Sequence, residues 1–102
     1  MTKATTPFRI VWRPIAEADM DSIIDYIAQD NPIRAEKFGK SLRDKTLPLM
    51  QHPELGRTGR PGLPDWLREL VVHPNYIVFY RVLAATNTVE ILRVKHVAQH
   101  VP

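Results

Sequence analysis

The sequence predicts an α+β domain in the order β-α-α-β-β-β, and three observations carry that reading. An aromatic and β-branched run lies near the start of the chain. Two segments with helical apolar spacing follow, with only Asp30 and Asn31 between them. Three β-rich runs separated by turn residues then complete the order. It predicts an N-terminal strand, an antiparallel helix hairpin and a three-stranded antiparallel sheet with the hairpin on one face. At 102 residues the chain has room for one domain of ordinary size, read here as residues 1–102.

Phe8–Trp12 places aromatic and β-branched residues on both sides of one charge, as a short strand requires. From Pro14 onward Ala16, Met20, Ile23, Ile24 and Ile27 recur at helical spacing, with Asp19, Ser22 and Asp25 on the opposite face, so the first helix runs to about Gln29. Asn31-Pro32 starts the second helix: the Asn side chain caps free amides and Pro sits where no amide hydrogen is needed. Its stripe is Ala35, Phe38, Leu42, Thr46 and Leu49, and Pro48 is expected to kink it. Pro53, Gly56, Gly59, Pro61, Gly62 and Pro64 then exclude regular structure over 52–65. Leu67–His73, Tyr76–Leu83 and Val89–His96 read as three strands joined by tight turns, hence antiparallel neighbours.

With 44% hydrophobic and 25% charged residues, the composition is that of a folded globular chain rather than a disordered one. The chain has no cysteine, which excludes disulfides, a thiolate nucleophile and a cysteine zinc site. Met1 to Pro7 lacks a secretory apolar stretch and no run is long enough to span a bilayer, so a cytoplasmic protein is expected, with no membrane contact. The net charge of +3 is uneven. Residues 32–60 hold seven Lys/Arg against three Asp/Glu, which suits an acidic partner, nucleic acid or protein, or equally a solvated helix face.

In the middle strand Tyr76, Val78, Tyr80 and Val82 alternate with Ile77, Phe79, Arg81 and Leu83, so neither face is wholly polar. A mostly apolar face carrying tyrosines and arginines suits a binding surface, and a strand buried on both sides reads the same way.

The stretch from Arg68 to Val82, continued by Val89 to His96, resembles the RelE/ParE toxin superfamily, and its ParE branch in particular. So do Pro14-x-Ala16-x-x-Asp19, Asp25-Tyr26-Ile27-Ala28, Asn31-Pro32-x-x-Ala35 and Pro53-x-x-Gly56-Arg57, which together span about Phe8 to His100. The resemblance implies the toxin of a type II toxin–antitoxin pair, neutralised in a hetero-oligomer by an antitoxin from a neighbouring gene. Two targets occur in the superfamily: DNA gyrase in ParE-like members and ribosome-bound messenger RNA in RelE-like ones.

RNA-cleaving relatives carry an arginine one position after the residue matching Tyr76, and here Ile77 stands there. A neutral aliphatic side chain cannot stabilise the charge of a phosphorane, so gyrase is the expected target. An RNA endonuclease using Arg81, Arg93 and His96, or a non-toxic member that only binds antitoxin, is the alternative. His96 occurs in both branches and does not discriminate. Candidates for target or antitoxin binding are Arg57, Arg60, Arg68, Tyr76, Tyr80, Arg81, Arg93 and His96, with Tyr and Arg favoured as interface anchors. Arg81 and Arg93, on neighbouring strands, are expected to project together. Glu69 and Glu90 are read as surface salt-bridge partners. The histidines show no metal-ligand spacing except His96 and His100, which would need a helix, so neither metal nor cofactor is expected.

Overall fold

A computed structural model describes residues 6–98. In it the expected order appears as β1 (Arg9–Trp12), α1 (Pro14–Ala28), α2 (Pro32–Asp44), β2 (Arg68–His73), β3 (Tyr76–Leu83) and β4 (Thr88–His96). The four strands form one sheet in the order β1-β4-β3-β2. The three C-terminal strands are antiparallel neighbours, as expected, and β1 adds to the outer side of β4 in parallel, with Ile10 opposite Val89 and Trp12 opposite Ile91. Parallel neighbours need a long crossover, and the helix hairpin lies in the connection that separates β1 from the later strands.

Pro14 opens α1 and the Asn31 side chain accepts the Arg34 amide at 3.0 Å to cap α2. The first helix stops at Ala28, one residue short of the expected end, which is within the ordinary fraying of helix termini. The expected kink at Pro48 is not what forms. Helix α2 ends at Asp44, where the Thr46 hydroxyl donates to the Arg43 carbonyl, and Leu47–Met50 makes a separate 3-10 turn. Pro48 falls in the first turn of that new element, where its missing amide is no loss. At Gly39 a Cβ would lie 2.7 Å from Ile24 Cδ1, so glycine lets the two helices approach closely.

Met20 and Leu42 of the hairpin, Leu49 of the turn, and Val78, Tyr80, Val89, Ile91 and Val94 of the sheet form one core. The even positions of β3 therefore face the helices. On the opposite face Ile77 and Phe79 are also buried, at 9% and 4% exposure, so β3 is covered on both sides up to Tyr80. The expected open apolar face is correspondingly smaller, because the Gly/Pro-rich segment folds back over it. Arg57 bridges Glu69 at the outer edge of β2, and the Arg60 guanidinium lies 6.0 Å from the Phe79 ring.

Candidate functional site

Two buried carboxylates organise the sheet face opposite the helices. Glu69 on β2 stands opposite Phe79, and Glu90 on β4 stands opposite Arg81, so strand alternation puts both on that face. They are not the surface salt-bridge partners expected from sequence: both are less than a tenth exposed. A carboxylate is retained there only if cations and hydrogen bonds compensate its lost hydration.

Each is compensated by two arginines. Arg60 grips Glu69 in a fork, Nε and Nη2 donating to separate oxygens at 2.7 and 2.6 Å, while Arg57 stands off at 3.7 Å with most of its side chain in solvent. Arg81 Nε donates to Glu90 at 2.5 Å and Arg13 donates to its other oxygen at 3.3 Å. The Arg60 hydrogen bonds hold the Glu69 carboxyl below the usual carboxylate range, against burial, which pushes the other way. Arg9 reaches Thr88 on the same face. Four arginines thus contact two carboxylates, with Arg9 beside them on Thr88, leaving an excess of positive charge on this face.

The free edge of β4 is the second feature. Phe79 is opposite Arg93 and Tyr80 opposite Ile91, so Leu92 is an additional residue that bulges the strand. Strand β1 pairs no farther than Ile91. Beyond that point Asp19 of α1 takes the place of a neighbouring strand, accepting the Val94 amide at 2.9 Å and both Nε and Nη2 of Arg93 at 2.8 and 3.0 Å. The Asp19 hydrogen bond raises the Arg93 guanidinium above its ordinary value.

Between α1 and this edge runs a cleft of about 490 Å³ lined by Ser22, Tyr26, Tyr76, Lys95 and His96, among others. Tyr76 sits amid rings, edge-on to Phe38 at 5.6 Å and to His96 at 5.1 Å. Burial, with Tyr26 nearby, pushes its phenol up. The His96 Nδ1 accepts the Ala98 amide at 2.9 Å.

The candidates therefore separate into groups. Arg57, Arg60 and Arg81 share the sheet face, whereas Arg93, Tyr76 and His96 line the cleft. Arg81 and Arg93 do not form the expected joint anchor: Arg93 is held by Asp19 on α1, while Arg81 stays with Glu90. Tyr80 does not present itself to a partner. It is fully buried, its hydroxyl donating to the Pro53 carbonyl and accepting the Gly56 amide, both at 2.7 Å, because its strand position faces the helices. Arg68 holds the same loop, donating to the Gly56 carbonyl at 2.7 Å. His100 lies outside the described residues. Among the described residues no group of three His, Asp or Glu is placed to hold a metal, and no helix is long and apolar enough to cross a membrane.

Sequence reasoning missed Arg13, Asp19, Trp66 and Lys95. Arg13 looks like a linker residue and Asp19 like a solvated helix position. Only the register that sets Ile77 opposite Lys95 shows a cation facing that aliphatic position.

Comparison with known proteins gives consistent relatives. Residues 10–101 match the model of the ParE toxin of the type II toxin-antitoxin system, parDE. Toxin RelE2 of Caulobacter vibrioides is 37% identical over 91 residues, covering 89% of this chain and 97% of that protein. Among solved structures, the chromosomal ParDE toxin–antitoxin system of P. aeruginosa superposes with a TM-score of 0.75 at 27% identity, over 91% of this chain and 99% of that one. The RelBE2 complex of Mycobacterium tuberculosis shares the fold, with a TM-score of 0.61 at 20% identity over 88% of this chain and 98% of that one.

Proposed function

The chain belongs to the ParE family of type II toxin–antitoxin toxins, and from that premise we propose that it arrests bacterial growth by binding DNA gyrase rather than by cutting messenger RNA. A cognate antitoxin neutralises it in the cytoplasm through direct binding. The observation that carries the reading is Ile77. Where RNA-cleaving relatives have an arginine, this chain has a buried aliphatic at 9% exposure. Arg81 and Arg93 are each committed to a different carboxylate, so neither is arranged with the other around one phosphorane, as transition-state stabilisation requires. The relatives solved as toxin–antitoxin complexes support antitoxin binding, and exposed Tyr26, Ile33 and Leu47 give a partner apolar area to cover.

One observation favours ribosome-dependent cleavage instead: Lys95, directly opposite Ile77, and the adjoining His96 put a cation and an imidazole at the end of the same strand pair. The test runs both targets side by side. Purified toxin is added to a gyrase supercoiling reaction and to a translating extract whose transcript is mapped by primer extension. The gyrase reading expects inhibited supercoiling with an intact transcript. Transcript cleavage that vanishes in Lys95→Ala or His96→Ala assigns the other target, and inactivity in both assays leaves only antitoxin binding.

A further inference from the structure

The geometry points to a single-stranded nucleic-acid platform on the arginine-bearing sheet face, with Trp66 stacking an unpaired base and the two arginine–glutamate–arginine groups holding the flanking phosphates. This goes beyond the choice of target.

Trp66 is the reason to look. A tryptophan is a costly side chain to leave in water, yet this one is 55% exposed, on a face where Ile77 and Phe79 are buried. Its ring is not loose. The Arg81 guanidinium lies 5.6 Å from the ring centroid, and that guanidinium is itself held by Glu90. Glu90 therefore positions Arg81, and Arg81 steadies Trp66, more than half of which stays exposed. A nucleobase offers a flat π surface of matching size, and sequence-tolerant stacking of this kind is how single strands are held.

The charge on the face is complementary. Arg9, Arg13 and Arg81 surround Glu90 and Thr88, and Arg57 and Arg60 surround Glu69, so five cations face two carboxylates. Arg81 uses only Nε on Glu90 and Arg57 stands 3.7 Å from Glu69, so both keep N–H donors for phosphate oxygens. The two carboxylates sit diagonally across β3, which strand spacing and rise put about 12 Å apart, the reach of a few nucleotides. Beside Arg60 a hollow of about 280 Å³, walled by Arg57, Thr58, Gly59 and Pro61, adds an open rim. Gly59 has a φ of +91° and nothing within 4 Å of where a Cβ would stand, so the backbone there is bare to a ligand. The bases must be unpaired, because in a duplex both faces of each base are already stacked.

The test measures anisotropy of labelled oligothymidylate, oligouridylate and a duplex titrated with the protein at low and moderate salt. In a Trp12→Phe background Trp66 is the sole tryptophan, and its emission reports stacking directly. Expected are saturable single-strand binding, quenching of Trp66, about a tenfold loss in Trp66→Ala, a smaller loss in Trp66→Phe, and a shallower salt dependence in Arg57→Ala. Lys37→Ala, an exposed change on α2, serves as the control and leaves binding unaltered. Thermal melting confirms that each variant is folded. Binding of either oligomer supports the platform. Absence of saturable binding, equal affinity for the duplex, or an unquenched Trp66 overturns it.

Discussion

The Asp19 carboxylate of α1 and the Arg93 guanidinium of β4 meet through two hydrogen bonds of 2.8 and 3.0 Å, and the same carboxylate accepts the Val94 amide at 2.9 Å. One helix residue thereby completes the edge of β4 where β1 ends. Sheet edges left with open amides invite unwanted strand pairing, so this clip both anchors the hairpin to the sheet and occupies the edge.

Asp19→Ala is expected to destabilise the fold by about 2 kcal/mol, since it removes a charged acceptor from three donors, two of them on a partly exposed arginine. Asp19→Asn keeps an acceptor for the Val94 amide and loses less. Urea unfolding monitored by circular dichroism measures both. An Asp19→Ala midpoint equal to the parent's contradicts the anchoring role.

Glu69 makes stability depend on acid. Its folded carboxyl lies below its ordinary value because Arg60 hydrogen-bonds it, so the contribution is fully present above the unfolded carboxylate range. It is lost as pH falls through the lower, folded value. Unfolding midpoints between neutrality and strong acid are expected to fall in the parent, and less steeply in Glu69→Gln. Parallel pH profiles for the two proteins would remove Glu69 as a source of acid sensitivity.

Tyr80 fastens the Gly/Pro-rich loop from within the core. Tyr80→Phe deletes a hydroxyl bonded to Pro53 and Gly56 and is expected to cost about 1–2 kcal/mol. Gly56→Ala puts a Cβ 2.6 Å from the Tyr80 ring and 2.7 Å from the Glu69 carbonyl, so it is expected to cost at least as much. Chemical denaturation gives both values, and faster proteolysis within 52–65 in each variant is the accompanying sign. Two variants as stable as the parent would show that the loop is held elsewhere.

Toxicity is expected to fall in Arg81→Lys, because lysine keeps the charge but cannot hold Glu90 and cover Trp66 with one planar group. Loss of an arginine anchor costs on the order of 2 kcal/mol of target binding, roughly thirtyfold. Growth after induction, with folding verified on the purified variant, is the measurement. Full toxicity of a folded Arg81→Lys protein moves the target contact to the Tyr76–His96 cleft.

Much of the architecture was legible in residues 8–96 themselves. Pro14 and Asn31-Pro32 mark the helix starts, the β-rich runs mark the strands, and the motifs from Pro14 to His96 point to the family. These signals are local: capping and periodicity act over a few residues and survive whatever the chain packs against. The site was less legible, because its contacts join distant positions. Asp19 meets Arg93 across 74 residues and Arg13 meets Glu90 across 77, and both meetings depend on β1 lying parallel to β4. A period of two says that Tyr80 and Arg81 point to opposite faces, but only the packed hairpin decides which face is inside. Asp19 of α1 then draws Arg93 away from Arg81, and no pattern within β4 announces it. The sequence alone determined the elements and the family. The tertiary structure decided the rest, because a buried carboxylate selects its arginines by the register of strands that are far apart in the chain.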